Sequence, residues 1–145
     1  MGKAKELGSL IRMRHYLEKF VGDISSIGQT NLYFFRTRHI GQLTAGDRRL
    51  CEPIFRRLLE IAQPTLIIAL SNSVSSGLLD LGGFSDGLES KSFAMNSRKQ
   101  RFEAIRGKFS VPGADGRWIA VPHPATPCLT TVREAAWSFC LPTQR

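Results

Sequence analysis

The chain has 145 residues, 42% of them hydrophobic, enough for one domain with a sizeable core and too apolar for a disordered polypeptide. Twenty Lys and Arg against twelve Asp and Glu leave a formal charge of +8, a field that favours polyanionic partners. No apolar run approaches the roughly 20 residues of a membrane span, the opening MGKAKELGSL lacks the apolar stretch of a secretory signal, and Cys51, Cys128 and Cys140 form no CxxC pair, so the expectation is a cytoplasmic protein with reduced thiols, no zinc site and no membrane contact.

Taken in chain order, residues 5–20 space Leu7, Leu10, Ile11, Tyr16, Leu17 and Phe20 at near-helical intervals, and Gly22 closes the pattern, which predicts a first helix. Thr30–Phe35 is a short β-prone run between Gly28 and a basic loop through Gly41 and Gly46, and reads as a strand. Asp47–Gln63 reads as a helix with Leu50, Ile54, Leu58 and Ala62 on one face and Phe55, Leu59 and Ile61 beside them. Pro53 within it implies either a start near Glu52 or a kink, and Pro64 ends the run. Thr65–Leu70 is continuously apolar, the mark of a central strand buried on both faces.

Beyond it, Ser71-Asn72-Ser73 forms a polar turn before a helix expected from about Val74. The segment Leu81–Lys108, with GGFSDG and several serines, has the composition of an insertion or flap, and its basic stretch Arg98–Arg106 reads as a short helix. Lys108–Val111 and Arg117–Val121 flank PGADG and predict a hairpin with a Gly-rich turn. Thr131-Val-Arg-Glu134 matches a capping box for a last helix that would bury Val132, Ala136 and Phe139 with Trp137 beside them. These pieces make one domain over residues 1–145: an α/β three-layer sandwich whose central sheet is mostly parallel and flanked by helices.

Basic residues cluster at Arg12 and Arg14, at Arg36, Arg38 and His39, at Arg48, Arg49, Arg56 and Arg57, and at Arg98, Lys99, Arg101, Arg106 and Lys108. Three apolar runs end in polar or turn-forming residues, as sheets do at the carboxyl edge where ligands bind. They are QTNLYFF, PTLIIALSNSV and VPHPATP. His123 follows the last run and is stiffened by Pro124, a setting from which its ring can donate to negative charge developing on a carbonyl or leaving group. The amide of Asn31 can accept from a ring N–H and donate to a carbonyl, the pattern that distinguishes uracil. Exposed amides and hydroxyls at Ser71, Asn72 and Ser73 would seat a phosphate at a helix start.

In order and spacing the three segments resemble the later motifs of the uracil-DNA glycosylase superfamily, in particular its thermophilic-type and related bacterial branches, over about Leu7 to Leu141. The resemblance implies that His123, in HPAT, contacts an extruded uracil and that Asn31, in the TN dipeptide, reads it. It further implies that Ser71, Asn72, Ser73 and Thr126 meet the DNA backbone and that Leu129 serves as a wedge in the base stack. The family usually has Leu-Gly and then Ala where this chain has Leu70-Ser71 and then Val74. LCEPIF resembles a helix start that supplies an iron–sulfur ligand in some members, but such a cluster takes four cysteines and only three exist here, so Cys51 is expected as a small buried hydrophobe and no cofactor is expected.

The family's first strand and Gly-rich front turn, which supply the water-activating residue, have no counterpart before Asn31, and Glu6, Glu18 and Asp23 read as solvated carboxylates. Two functions follow. One is hydrolysis of the N-glycosidic bond of uracil in DNA, in base-excision repair. The other is an inactive DNA-binding module of the same fold, holding uracil-containing or abasic DNA. A nucleotide-binding domain unrelated to repair lacks support from any P-loop or GxGxxG. The missing strand would leave an open sheet edge, which invites pairing with a second copy.

Overall fold

The computed structural model describes residues 2–25, 27, 28, 32, 44–96 and 100–142. The predicted strand Thr30–Phe35 apart from Leu32, and with it Asn31, lies outside the described residues, as do the basic group Arg36, Arg38 and His39 and the pair Arg98 and Lys99. Within them the elements run α1 (Gly2–Phe20), α2 (Ala45–Ala62), β1 (Leu66–Leu70), α3 (Asn72–Asp80), β2 (Asp86–Ala94), β3 (Arg101–Val111), β4 (Ala114–Val121) and α4 (Thr130–Cys140).

The strands form one four-stranded sheet in the order β1-β4-β3-β2. β1 pairs parallel with β4, Leu66 opposite Arg117 through Leu70 opposite Val121, whereas β4 with β3 and β3 with β2 are antiparallel. The α/β class therefore holds, but the sheet is mixed and not mostly parallel. The reason lies in Leu81–Lys108: the expected flap and the expected helix over Arg98–Arg106 are replaced by a hairpin of β2 and the long strand β3. Phe102, Ala104, Gly107 and Phe109 are buried and alternate with exposed Arg101, Glu103 and Lys108, a near-period-2 pattern whose basic residues read as a helix face when taken alone. The hairpin predicted around PGADG is the β3–β4 turn.

Adding β2 and β3 on the far side of β4 also places β1 at the edge of the described sheet. Its apolar run was expected to be central, yet only Ala69 is fully buried. Deep burial instead lies under β3 and β4. Phe84 stacks on Phe109 at 5.7 Å and meets Trp118 edge-on at 6.1 Å, and the Trp118 indole N–H donates to the Phe84 carbonyl at 3.0 Å. Gly107 makes room for this arrangement, because a Cβ there would lie 2.8 Å from Leu88 and 3.1 Å from the indole nitrogen.

The helices keep their predicted places while their buried faces turn. α2 starts at a capping box in which the Thr44 hydroxyl accepts from the Asp47 N–H at 3.0 Å and the Asp47 carboxylate accepts from the Thr44 N–H at 2.9 Å. It runs through Pro53 rather than starting there, and ends with Gln63 in the left-handed region before Pro64. Cys51, Phe55 and Leu59 face inward, and the row expected inside leaves Leu50 and Ile54 at the surface. Both rows are apolar, so periodicity alone could not choose between them.

α4 begins two residues before the expected start, with Leu129 in place of Thr131 as its cap and no side-chain capping bond, so the Thr131–Glu134 capping box does not form. Glu134 instead accepts from Lys19 of α1. The inward face of α4 is Arg133, Ala136, Trp137 and Cys140, while Val132 and Phe139 are half-buried. Trp137 stacks on Tyr16 and Phe20 of α1, each at 5.7 Å, which fixes α1 against α4. Leu10 and Ile11, expected on the buried face of α1, are exposed. No helix among the described residues is long and apolar enough to cross a membrane.

Candidate functional site

Because β1 and β4 are adjacent and parallel, the residues that leave them emerge at the same edge of the sheet. Ser71, Asn72 and Ser73 from the first exit and Pro122, His123 and Thr126 from the second line one cleft of about 200 Å³, closed on a third side by Met95, Arg101 and Phe102. Five of the residues singled out in the sequence are thus brought together: Ser71, Asn72, Ser73, His123 and Thr126. Leu129 is 57% exposed and does not line the cleft, although its N–H donates to the carbonyl of Met95, which does. Asn31 and the side chain of Glu6 lie outside what is described. Glu18 pairs with Arg14, and Asp23 accepts from Ser25, both at the surface.

The turn after β4 is held from within and from behind. The Thr126 N–H donates to the His123 carbonyl at 3.0 Å, and the Ala125 N–H donates to Nδ1 of the His123 ring, also at 3.0 Å. A ring nitrogen that accepts carries no proton, so the neutral His123 has its N–H at Nε2. Burial pushes the His123 pKa down, and the guanidinium of Arg133 adds to the shift. The ring is therefore a neutral donor with a defined tautomer, suited to a carbonyl oxygen on a base.

Arg133 was not among the expected site residues. It is 3% exposed, and its fork donates to the carbonyls of Pro122 (3.2 Å), His123 (3.0 Å) and Thr126 (2.7 Å). No carboxylate pairs with it among the described residues. Arg12 of α1 donates to the next carbonyl of the same turn, that of Pro124. The available signal was an arginine on the apolar stripe of α4, at i−3 and i−4 from Ala136 and Trp137.

The turn after β1 is built differently. The Asn72 amide donates to the Glu103 carbonyl at 2.8 Å and accepts from the Glu103 N–H at 3.0 Å. It acts as an extra rung on β3 at Glu103, two residues past Ile105, where the β3–β4 register ends opposite Ala120. Ser71 caps α3 by accepting from the Val74 N–H at 3.2 Å, with φ 150° and ψ 163°. That backbone region is reached almost only by glycine.

The rest of the cleft is basic or neutral. Arg101 lines it while donating to the Ser92 hydroxyl at 2.7 Å, and no Asp or Glu side chain is among its described lining. Cys51, Cys128 and Cys140 form no disulfide; Cys51 is buried in the core, and burial pushes Cys140 up to about 12. No group of three or more His, Cys, Asp and Glu gathers among the described residues. No protein-family model, curated protein or solved structure matches the chain.

Proposed function

We propose that this chain is a uracil-DNA glycosylase-like domain that binds DNA and takes an extruded uracil at the cleft between the β1 and β4 strand ends. The observation that carries the reading is the convergence of Ser71, Asn72 and Ser73 with His123 and Thr126 on one cleft. In it His123 donates from Nε2 to a base carbonyl, Asn31 reads the base edge, Thr126 and the Ser71–Ser73 turn meet phosphates, and Leu129 stands at the rim as a wedge. Arg101, which lines the cleft, supplies positive charge for the DNA backbone. The described sheet would be the later part of a three-layer glycosylase-type sandwich, with β2 and β3 added beside β4.

Binding without hydrolysis is the better-supported form, since no Asp or Glu is among the described residues that line the cleft. Hydrolysis is the second reading, favoured by the fixed Nε2–H donor, and requires a water activator that none of the named residues provides. Association with a second copy along β1 goes with the same proposal, because that strand is one of the two outer strands of the described sheet.

The test is oligonucleotide binding by fluorescence anisotropy, uracil against a tetrahydrofuran abasic analogue at one position, with the native chain and with His123→Asn. Asparagine keeps an acceptor for the Ala125 N–H and removes the distant donor. The expected outcome is a roughly tenfold loss of uracil preference, the worth of one hydrogen bond, with phosphate-driven binding retained. Equal preference in the two proteins would remove His123 from the reading. Uracil release by the native chain that disappears in His123→Asn would establish the hydrolytic alternative.

A further inference from the structure

We propose that Arg133 is the positioning residue of this cleft, the group that keeps His123 a neutral ring protonated on Nε2; the proposal rests on the reading of His123 as the base donor. Arg133 never reaches the cleft opening. It is buried beneath the turn and spans the carbonyls of Pro122, His123 and Thr126 with two nitrogens of one planar fork. A lysine ammonium could bond some of these carbonyls but would not fix their relative positions. An apolar side chain of similar volume would take this support from all of them, leaving the His123 carbonyl only the Thr126 N–H.

The carbonyls that Arg133 holds bracket the bond that sets the tautomer. Ala125 can present its N–H to Nδ1 only while the chain from His123 to Thr126 keeps its turn. Protonating the ring would place a hydrogen on Nδ1 against that N–H and add positive charge close to a buried guanidinium. The charged and titratable groups around the ring all press the same way or stay neutral. Arg133 of α4 and Arg12 of α1 lie behind the turn, Arg101 of β3 lies across the cleft, and burial raises the Cys128 thiol and keeps it protonated. The nearest carboxylate along α4, Glu134, is bonded to Lys19. Nothing among the described cleft-lining residues would compensate an imidazolium, so its charged form is disfavoured first by burial and then by the guanidinium of Arg133.

The experiment is nitrogen-15 NMR of the histidine rings in the full chain, read against pH, for the native protein and for Arg133→Gln, Arg133→Met and Arg133→Lys. In the native protein His123 should show the Nε2–H tautomer alone and titrate below the ordinary 6.5. Arg133→Gln retains donors for the carbonyls and loses the charge, so the titration should move up. Arg133→Met loses both, and the upward shift should come with a mixture of tautomers. Arg133→Lys keeps the charge but not the fork, and should mix tautomers while the titration stays low.

If Arg133→Met does not fold, Arg133→Gln carries the same expectation for the titration. An unchanged His123 titration and tautomer in the folded Gln or Met variant overturns the assignment, because a merely structural arginine would leave the ring as it is. Failure of the native chain to bind the uracil oligonucleotide overturns the functional reading alone, since ring tautomer and titration are read without DNA.

Discussion

The two turns at the carboxyl edge of the sheet solve the same problem in opposite ways. After β4, the backbone carbonyls are taken up by arginines from α4 and α1, and the ring of His123 is left facing the cleft with a free Nε2–H. After β1, the polar side chains themselves satisfy the backbone: Asn72 pairs with Glu103, and Ser71 caps α3 from a glycine-like backbone conformation. Polar residues at a strand end are thus available for a ligand only if something else completes the backbone around them. The turn with a buried cation behind it is the one with chemistry to offer, and the self-satisfied turn shapes the wall opposite.

The largest effect that would break this contrast is at Arg133. Arg133→Met takes the guanidinium donors from three buried or half-buried carbonyls, that of His123 keeping the Thr126 N–H, and should lower stability by about 3 kcal/mol in denaturant unfolding. A loss below about 0.5 kcal/mol would mean that the turn holds itself. Next, Asn72→Ala removes two bonds to the end of β3 and should cost about 2 kcal/mol, with faster amide exchange at Glu103 as the local signature. Third, Ser71→Gly exchanges backbone strain of about 1–3 kcal/mol for a glycine that caps nearly as well as serine and is more flexible when unfolded. The balance is a gain of about 1 kcal/mol, and a lower melting temperature would show that φ 150° is not strained here.

The smallest effect concerns acid. The pKa of His123 is lowered on folding, chiefly by burial and then by Arg133. Above about pH 6.5 the ring is neutral in both states and costs nothing; as pH falls through 6.5 the unfolded chain takes up its proton first, and stability declines until the folded ring also titrates. His123→Asn should remove this part of the acid slope in urea unfolding followed from pH 7 to 5. An identical slope in the two proteins would indicate a ring with its ordinary pKa.

Sequence alone determined the α/β class, the places of the four helices and of β1, and the exits that build the cleft. Apolar runs of Thr65–Leu70 and Arg117–Val121 end in Ser71 and His123 whatever the sheet order, because a strand carries its own period and turn residues mark its end. It also marked Cys51 as a core residue. Tertiary structure alone decided strand order, and with it that β1 lies at the edge and that the sheet is mixed. Pairing is a competition between distant segments, and the near-alternating pattern of Arg101–Val111 became decisive only once β2 and β4 flanked it.

The faces of α2 and α4 were likewise beyond the sequence, since each carries two adjacent apolar rows and a rotation of one residue exchanges them. That rotation put Arg133 rather than Val132 beneath the His123 turn. A histidine after a strand was legible because its residue type and its turn are local. The arginine that fixes its proton lies ten residues on, and only the docking of α4 brought the two together.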